Sequence, residues 1–298
     1  MKVVAYYPDW EEYQEEKLQY QYLTHLIYAF AIPEVTGNIK ELNHPKRAKK
    51  LIEKAHEKGV KVLLAVGGWE YEGVTLEETF MQAAATEEKR KHLAEEILSM
   101  CRKYEFDGID IDWEYPKTDE NGENPYEALM LLLAEKLHEE GKLLTSAVVS
   151  GMEGDGSGVR REAAFYSDTA LAAADWIHVM AYDGGEGALH SGYEFAVSCG
   201  DYWKNERNIL KEKVVLGVPF YGRPGWFLYK DIVAEIPEAW KKDRCIYQGT
   251  EVWYNGSDTI RAKAEYAKKE LGGIMIWELT QDPCGEKSLL RIIGEILK

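Results

Sequence analysis

The run Asp107-Gly108-Ile109-Asp110-Ile111-Asp112-Trp113-Glu114-Tyr115-Pro116 constrains this chain more than any other stretch. Read as a β-strand it alternates with period two, so Asp110, Asp112 and Glu114 share one face and Ile109, Ile111 and Trp113 the other. Asp107 has the opposite parity to the three acids and is expected at or before the strand start, in a structural role. Like charges side by side destabilise a strand unless something uses them. Carboxylates at alternate positions stand about 7 Å apart. Two charges at that distance repel by roughly 2 kcal/mol at an effective dielectric near 20. At least one acid is therefore expected to hold its proton well above the ordinary carboxylate range. A protonated acid beside an ionised one is the arrangement of general acid catalysis. The plainer alternative, a solvated edge strand with a charged outer face, leaves that repulsion uncompensated.

Around this run, short apolar stretches alternate with charged, helix-patterned ones. Strands are expected over 3–7, 25–31, 61–66, 107–116, 143–149, 176–182, 214–221 and 273–279. Helices are expected over 45–58, 86–104, 125–140, 161–174, 259–271 and 286–297, with Gly59, Gly141 and Gly272 as stop signals. Near-continuous apolar strands separated by helices imply an α/β fold with a parallel sheet covered on both sides. Eight strand–helix units within 298 residues suit a single closed (β/α)8 TIM barrel. A doubly wound open sheet is the alternative, but no G-x-G-x-x-G follows the first strand. Residues 224–257 exceed a simple loop and hold Trp226, Trp240, Tyr247, Trp253 and Tyr254. They are expected to form a short rim insertion after the seventh strand, on one catalytic domain spanning 1–298.

In such a barrel, functional residues gather at the carboxyl ends of the strands. Here those ends read Tyr6-Tyr7, Phe30, Gly67-Gly68-Trp69, Asp112 to Tyr115, Met180-Ala181-Tyr182-Asp183, Tyr221-Gly222-Arg223 and Trp277-Glu278. They are aromatic and acidic, with no phosphate-binding loop. Aromatic faces for sugar C–H surfaces and carboxylates for hydroxyls describe a carbohydrate groove; the alternative is that the aromatics only close the barrel end as core. A formal charge of −16 argues against nucleic acid and anionic membranes and favours a neutral or cationic substrate. No apolar span of membrane length is present. Cys101, Cys199, Cys245 and Cys284 are scattered, no metal-ligand spacing appears, and neither metal nor cofactor is expected. His25, His178 and His190 are read as satisfied structural histidines. An aldolase-type barrel would want a lysine at a strand end, whereas Lys61 and Lys142 stand at strand starts. Met1-Lys2 runs straight into the first strand without a leader-like stretch. The expectation is a monomer that is cytoplasmic, or secreted with its leader removed.

The run D-G-I-D-I-D-W-E-Y-P resembles the D-x-x-D-x-D-x-E signature of family 18 glycoside hydrolases, the chitinase-like family. Met180-Ala181-Tyr182-Asp183 is similar to its M-x-Y-D segment. Residues 217–223 and 273–278 resemble its seventh- and eighth-strand segments, and Val66-Gly67-Gly68-Trp69 its S-x-G-G segment. Ala65 stands where that family has a serine that helps hold the inner acid, which leaves Tyr6 as the expected replacement. The resemblance implies a retaining, substrate-assisted hydrolysis of β-1,4 bonds after N-acetylglucosamine, an exception to the two-carboxylate pattern. It implies Glu114 as acid and base, and Asp112 as acceptor of the acetamide N–H, sharing a proton with Asp110. Tyr182 would donate to the acetamide oxygen and Trp277 would stack beneath the sugar. Asp183 and Arg223 would bind the sugar, with Tyr6, Phe30, Gly68, Trp69, Met180 and Tyr221 completing the site. Chitin or chito-oligosaccharide is the lead substrate, with N-glycan cores and peptidoglycan-type glycans as rivals. A non-catalytic lectin on the same barrel is the alternative of a different class, and such relatives typically lose the terminal acid that is Glu114 here. The short insertion implies an open cleft that favours short or flexible chains over crystalline chitin.

Overall fold

In a computed structural model that describes residues 1–12 and 15–298, eight parallel strands close into a barrel in chain order. They are β1 (Lys2–Pro8), β2 (His25–Ala31), β3 (Lys61–Gly68), β4 (Gly108–Trp113), β5 (Leu143–Val149), β6 (Trp176–Met180), β7 (Val214–Pro219) and β8 (Gly273–Trp277). β1 pairs with both β2 and β8, which seals the ring. The apolar residues of these strands divide by parity. Val4, Tyr6, Ile27, Ala29, Leu63, Ala65 and Ala147 pack together inside the barrel. Val3, Ala5, Tyr7, Leu26, Tyr28, Val62, Leu64, Ile109 and Ile111 belong to the larger outer core shared with the helices. Such two-sided burial is why the strands read as unbroken apolar runs.

The helices are α1 (Pro45–Glu57), α2 (Leu76–Ala83), α3 (Glu87–Tyr104), α4 (Pro125–Glu139), α5 (Asp168–Ala173), α6 (Tyr193–Asp201), α7 (Tyr229–Glu235), α8 (Ser257–Glu270) and α9 (Leu289–Leu297). Local chemistry sets their ends. Pro45 opens α1, and α1 buries Ala48, Leu51, Ile52 and Ala55. The Thr86 side chain accepts from the Lys89 N–H at the start of α3, and Asn124 from Glu127 at the start of α4, caps that contribute about 1 kcal/mol each. Glu105, with φ +64°, makes the left-handed stop of α3 where glycine is usual.

The structure departs from the sequence expectations in several places. The helix expected over 161–174 is broken into a 3-10 turn, Arg161–Phe165, and α5. Tyr166 is buried between them and donates to the Trp113 carbonyl, and Ser167 caps a new helix through the Ala170 N–H. Among the described residues only 3-10 turns, Glu15–Lys17 and Tyr20–Tyr22, lie between β1 and β2, so the first of the eight expected units lacks its helix. The strand expected to reach 221 stops at Pro219. Tyr221–Gly222 instead pairs with Phe227–Leu228 as a separate hairpin. This hairpin, α7 and a second hairpin, Arg244–Tyr247 with Thr250–Trp253, occupy most of residues 224–257. α2, α6 and α7 fall in stretches for which no helix was expected.

Candidate active site

The geometry begins with β4. Ile109, Ile111 and Trp113 are absorbed by the outer core, where Trp113 stacks on Phe80 of α2 at 4.6 Å. Their parity turns Asp110 and Asp112 into the barrel, both buried. Glu114, one residue past the strand, lines with Asp112 a cavity of about 690 Å3 at the carboxyl ends of the strands. Gly67, with φ +118°, lets β3 pass close to β4, since a Cβ there would stand 2.1 Å from the Asp112 carbonyl oxygen. Asp107 lies before the strand and accepts from the Val62 N–H at 2.7 Å.

Asp110 lies beneath the cavity and does not line it. Tyr6 donates to its Oδ2 at 2.6 Å and Thr145 of β5 to its Oδ1 at 2.5 Å. In register, Asp110 is flanked by Ala65 on β3 and Thr145 on β5. His178 Nε2 stands 3.5 Å from Asp110 Oδ1 and accepts the Trp176 indole N–H at 3.2 Å. The reading of His178 as a satisfied histidine needs correction: its Nδ1 has no hydrogen-bond partner among the described residues. Burial keeps the ring neutral, pushing its pKa down to about 3.

The three acids keep their protons unequally. Burial raises Asp110 to about 6, with the Thr145 and Tyr6 hydrogen bonds pulling the other way. Burial, then the charges of Glu114 and Asp110, raise Asp112 well above the carboxylate range. Glu114 is pushed up to about 7, first by burial, with a Tyr115 hydrogen bond opposing and the Asp183 charge adding. Desolvation, not the like-charge repulsion expected from the strand spacing, leads at all three positions. Asp112 lines the cavity, and its buried Oδ1 has no partner among the described residues.

Aromatic side chains build the rest of the cleft. Trp277 stacks near Phe30 at 5.9 Å and meets the edge of Tyr6 at 5.3 Å. Tyr182 and Met180 line the cavity from the end of β6. Gly217 makes room for Tyr182, because a Cβ there would come within 3.0 Å of the ring. Gly68 does not reach the cavity; it sits under the Phe30 ring, 3.1 Å from where its Cβ would be. Trp69 contacts Tyr115, and Trp10 stacks on Phe30. Trp10, Trp69 and Trp226 are 56%, 54% and 48% exposed, which rules out a role as barrel core and leaves them as open platforms on the cleft.

The far wall is a polar cluster centred on Asp183. Arg223 donates through Nε to its Oδ1 and through a terminal nitrogen to its Oδ2, each at 2.8 Å. Tyr221 donates to Oδ2 at 2.8 Å, and His190 Nδ1 stands 3.0 Å from Oδ1. Burial pushes the Asp183 carboxyl up, but the bonds from Arg223, His190 and Tyr221 outweigh it and hold the group below its ordinary range. Trp226 stacks on Tyr221 at 4.1 Å and under Arg223 at 4.2 Å. Behind the wall, buried Lys263 of α8 donates to the Ser191 carbonyl, the Ser191 hydroxyl and Asn255. Ser191 in turn donates to the Ala181 carbonyl, which ties down the loop carrying Asp183 and His190.

Four residues here were not read as site residues from sequence, although Trp226 was placed in the rim insertion and His190 among the structural histidines. Trp10 follows the first strand end directly and Trp226 follows Arg223 by three, so the strand-end rule extended by a few residues would have found both. Thr145 is a polar residue at inward parity in an apolar strand, which is a usable signal. His190 carries no local signal, since only the fold brings it to Asp183. Among the described residues no three His, Cys, Asp or Glu side chains are placed to hold a metal ion. No described helix is long and apolar enough to cross a membrane, and the four cysteines are unpaired.

Residues 2–282 match the family model for glycosyl hydrolases family 18. Probable chitinase 10 of Drosophila melanogaster is 25% identical over 379 aligned positions, which cover 99% of this chain and 16% of that protein. Chitinase A1 of Niallia circulans is 26% identical over 324, covering 83% of this chain and 43% of that protein. The chain thus spans less than half the length of either relative. A family 18 chitinase from the chitin utilization locus of Flavobacterium johnsoniae superposes with a TM-score of 0.79 at 28% identity, covering 99% of this chain and 93% of that one. A chitinase from Bacteroides thetaiotaomicron gives 0.81 at 27% identity, over 99% and 96%.

Proposed function

We propose that this chain, which belongs to family 18 of the glycosyl hydrolases, hydrolyses β-1,4 bonds after N-acetylglucosamine in chitin and chito-oligosaccharides, with retention through the substrate's own 2-acetamido group. The observation that carries the reading is a proton-holding Glu114 beside an unpartnered Asp112 oxygen, at the base of a cavity walled by Trp277, Tyr182 and Phe30. Near neutrality a carboxyl with a pKa of about 7 is poised both to give and to retrieve a proton.

Glu114 protonates the glycosidic oxygen as the bond to the anomeric carbon breaks. The acetamide carbonyl oxygen of the same sugar attacks that carbon and forms an oxazolinium ion, so no enzyme nucleophile is needed. The nucleophile is already attached, which removes the entropy cost of bringing it there. Asp112 accepts the acetamide N–H and stabilises the positive charge, sharing its proton with Asp110, while Tyr182 donates to the acetamide oxygen. Trp277 supports the sugar from below. Tyr6, Phe30, Met180, Trp69, Tyr221, Asp183 and Arg223 shape the surrounding walls, and Gly68 supports Phe30. Glu114, now a carboxylate, takes a proton from the incoming water, which opens the oxazolinium ring and restores the acetamide and the protonated acid.

The test is a panel of chito-oligosaccharides, chitobiose-core N-glycans, peptidoglycan fragments and cello-oligosaccharides, with products read by mass and their first-formed anomer by NMR. Chito-oligosaccharides should be cleaved with retention and cello-oligosaccharides left intact. Rapid turnover of the latter would sink the internal nucleophile. Glu114→Gln should lower kcat by about 10²–10⁴-fold while sugar binding survives. A wild-type chain that binds but cleaves nothing would instead be a lectin.

A further inference from the structure

We propose that Thr145 is a positioning residue that keeps the resting negative charge of the acid trio on Asp110, from one flank of the strand only. The inference rests on the reading of Glu114 as proton donor and concerns a residue outside the motifs that led to that reading. Neighbouring strands lie about 4.8 Å apart, so the residues in register with Asp110 are those from which a short side chain can reach its carboxyl. These are Ala65 and Thr145. Ala65 has nothing to donate, and Thr145 meets Oδ1 at 2.5 Å.

A buried carboxylate needs donors on both oxygens. Tyr6, from β1, serves Oδ2. The other groups facing Asp110 supply no further proton to Oδ1. Asp112, on the same strand, makes no hydrogen bond to Asp110 among the described residues, and His178 of β6 offers a nitrogen that already accepts the Trp176 N–H. Tyr126 of α4 is turned to the Ser146 hydroxyl. Thr145 is thus the sole hydrogen-bond donor to Oδ1 among the described residues. With both hydroxyls in place Asp110 receives a donor on each carboxyl oxygen, whereas Asp112 has an oxygen with none among the described residues, so the negative charge is best held on Asp110. The charge then rests where it does not discharge the donor. Without Thr145 the ionised form of Asp110 is less favoured and the trio's charge moves toward the cavity.

The experiment uses the full chain carrying Thr145→Val, Thr145→Ser, and Thr145→Val combined with Ala65→Ser. It follows kcat against pH on a soluble chito-oligosaccharide, carboxyl-carbon NMR titration of Asp110, and thermal melting. Loss of one charge-assisted hydrogen bond should move the acid limb and the Asp110 titration upward by about one pH unit. Below the limb that lowers kcat about ten-fold. Thr145→Ser should match wild type. Adding the hydroxyl back at position 65 should return the limb most of the way, a rescue that no purely structural role for Thr145 produces. An unchanged limb and titration in a Thr145→Val chain that melts like wild type would overturn the proposal. So would a double variant that stays where Thr145→Val left it. Should Thr145→Val fail to fold, Thr145→Ala takes its place. If wild type cleaves no glycan, the functional reading falls, while the Asp110 titration still decides the role of Thr145.

Discussion

Burial costs a carboxylate more than a carboxylic acid, and Glu114 carries that cost in its proton affinity, raised to about 7 from an ordinary value near 4.3. Between those two values the folded chain binds more protons at this position than the unfolded chain, so its contribution to stability falls as pH rises through the window. Glu114→Gln removes the effect. Its Tm should exceed wild type by a few degrees at about pH 8, and the gap should shrink at about pH 5; a gap of the same size at both would contradict the proton assignment. The spacing of the acids in one strand was enough to place Asp110, Asp112 and Glu114 together, because strand parity is a local property. It was not enough to explain how the protons are apportioned. That depends on burial, which raises all three, and on the Tyr6 and Thr145 hydroxyls, which arrive from β1 and β5 and oppose it at Asp110.

At the scale of elements, strands were legible because both their faces are apolar, and long helices because caps and stops are written locally, as at Thr86 and Gly141. The short elements were not. α5 exists because Tyr166 is taken into the core and Ser167 restarts the helix, and neither event has a periodic signature. The hairpin Tyr221–Gly222 with Phe227–Leu228 likewise holds its place through Arg223 bound to Asp183 on another loop. It presents Trp226 as a plane held against Tyr221 and Arg223. Trp226→Ala should therefore raise KM for chito-oligosaccharides about five-fold with kcat changed by less than about two-fold, since an exposed stacking platform holds substrate and transition state alike. A loss confined to kcat would place Trp226 at the reacting sugar instead.

For the whole molecule, the closed ring sets a cavity at the carboxyl ends of its strands, lined after β7 by Tyr221, Arg223 and Trp226 and elsewhere by residues such as Trp10, Trp69 and Tyr71. Two small hairpins, α7 and a 3-10 turn make up the rim after β7, and from that short rim we infer a cleft suited to short or flexible chains. Soluble chito-oligosaccharides should accordingly be turned over at least about ten-fold faster than crystalline chitin per bond, measured by reducing ends released at equal mass. Equal rates on both would show that the cleft recruits ordered surfaces unaided. The wall of that cleft has its own consequence. A carboxylate offers about four lone-pair positions, and on Asp183 two face Arg223, one Tyr221 and one His190. A sugar hydroxyl binding there would meet oxygens already engaged, and would trade places with one of those residents instead of filling an empty seat.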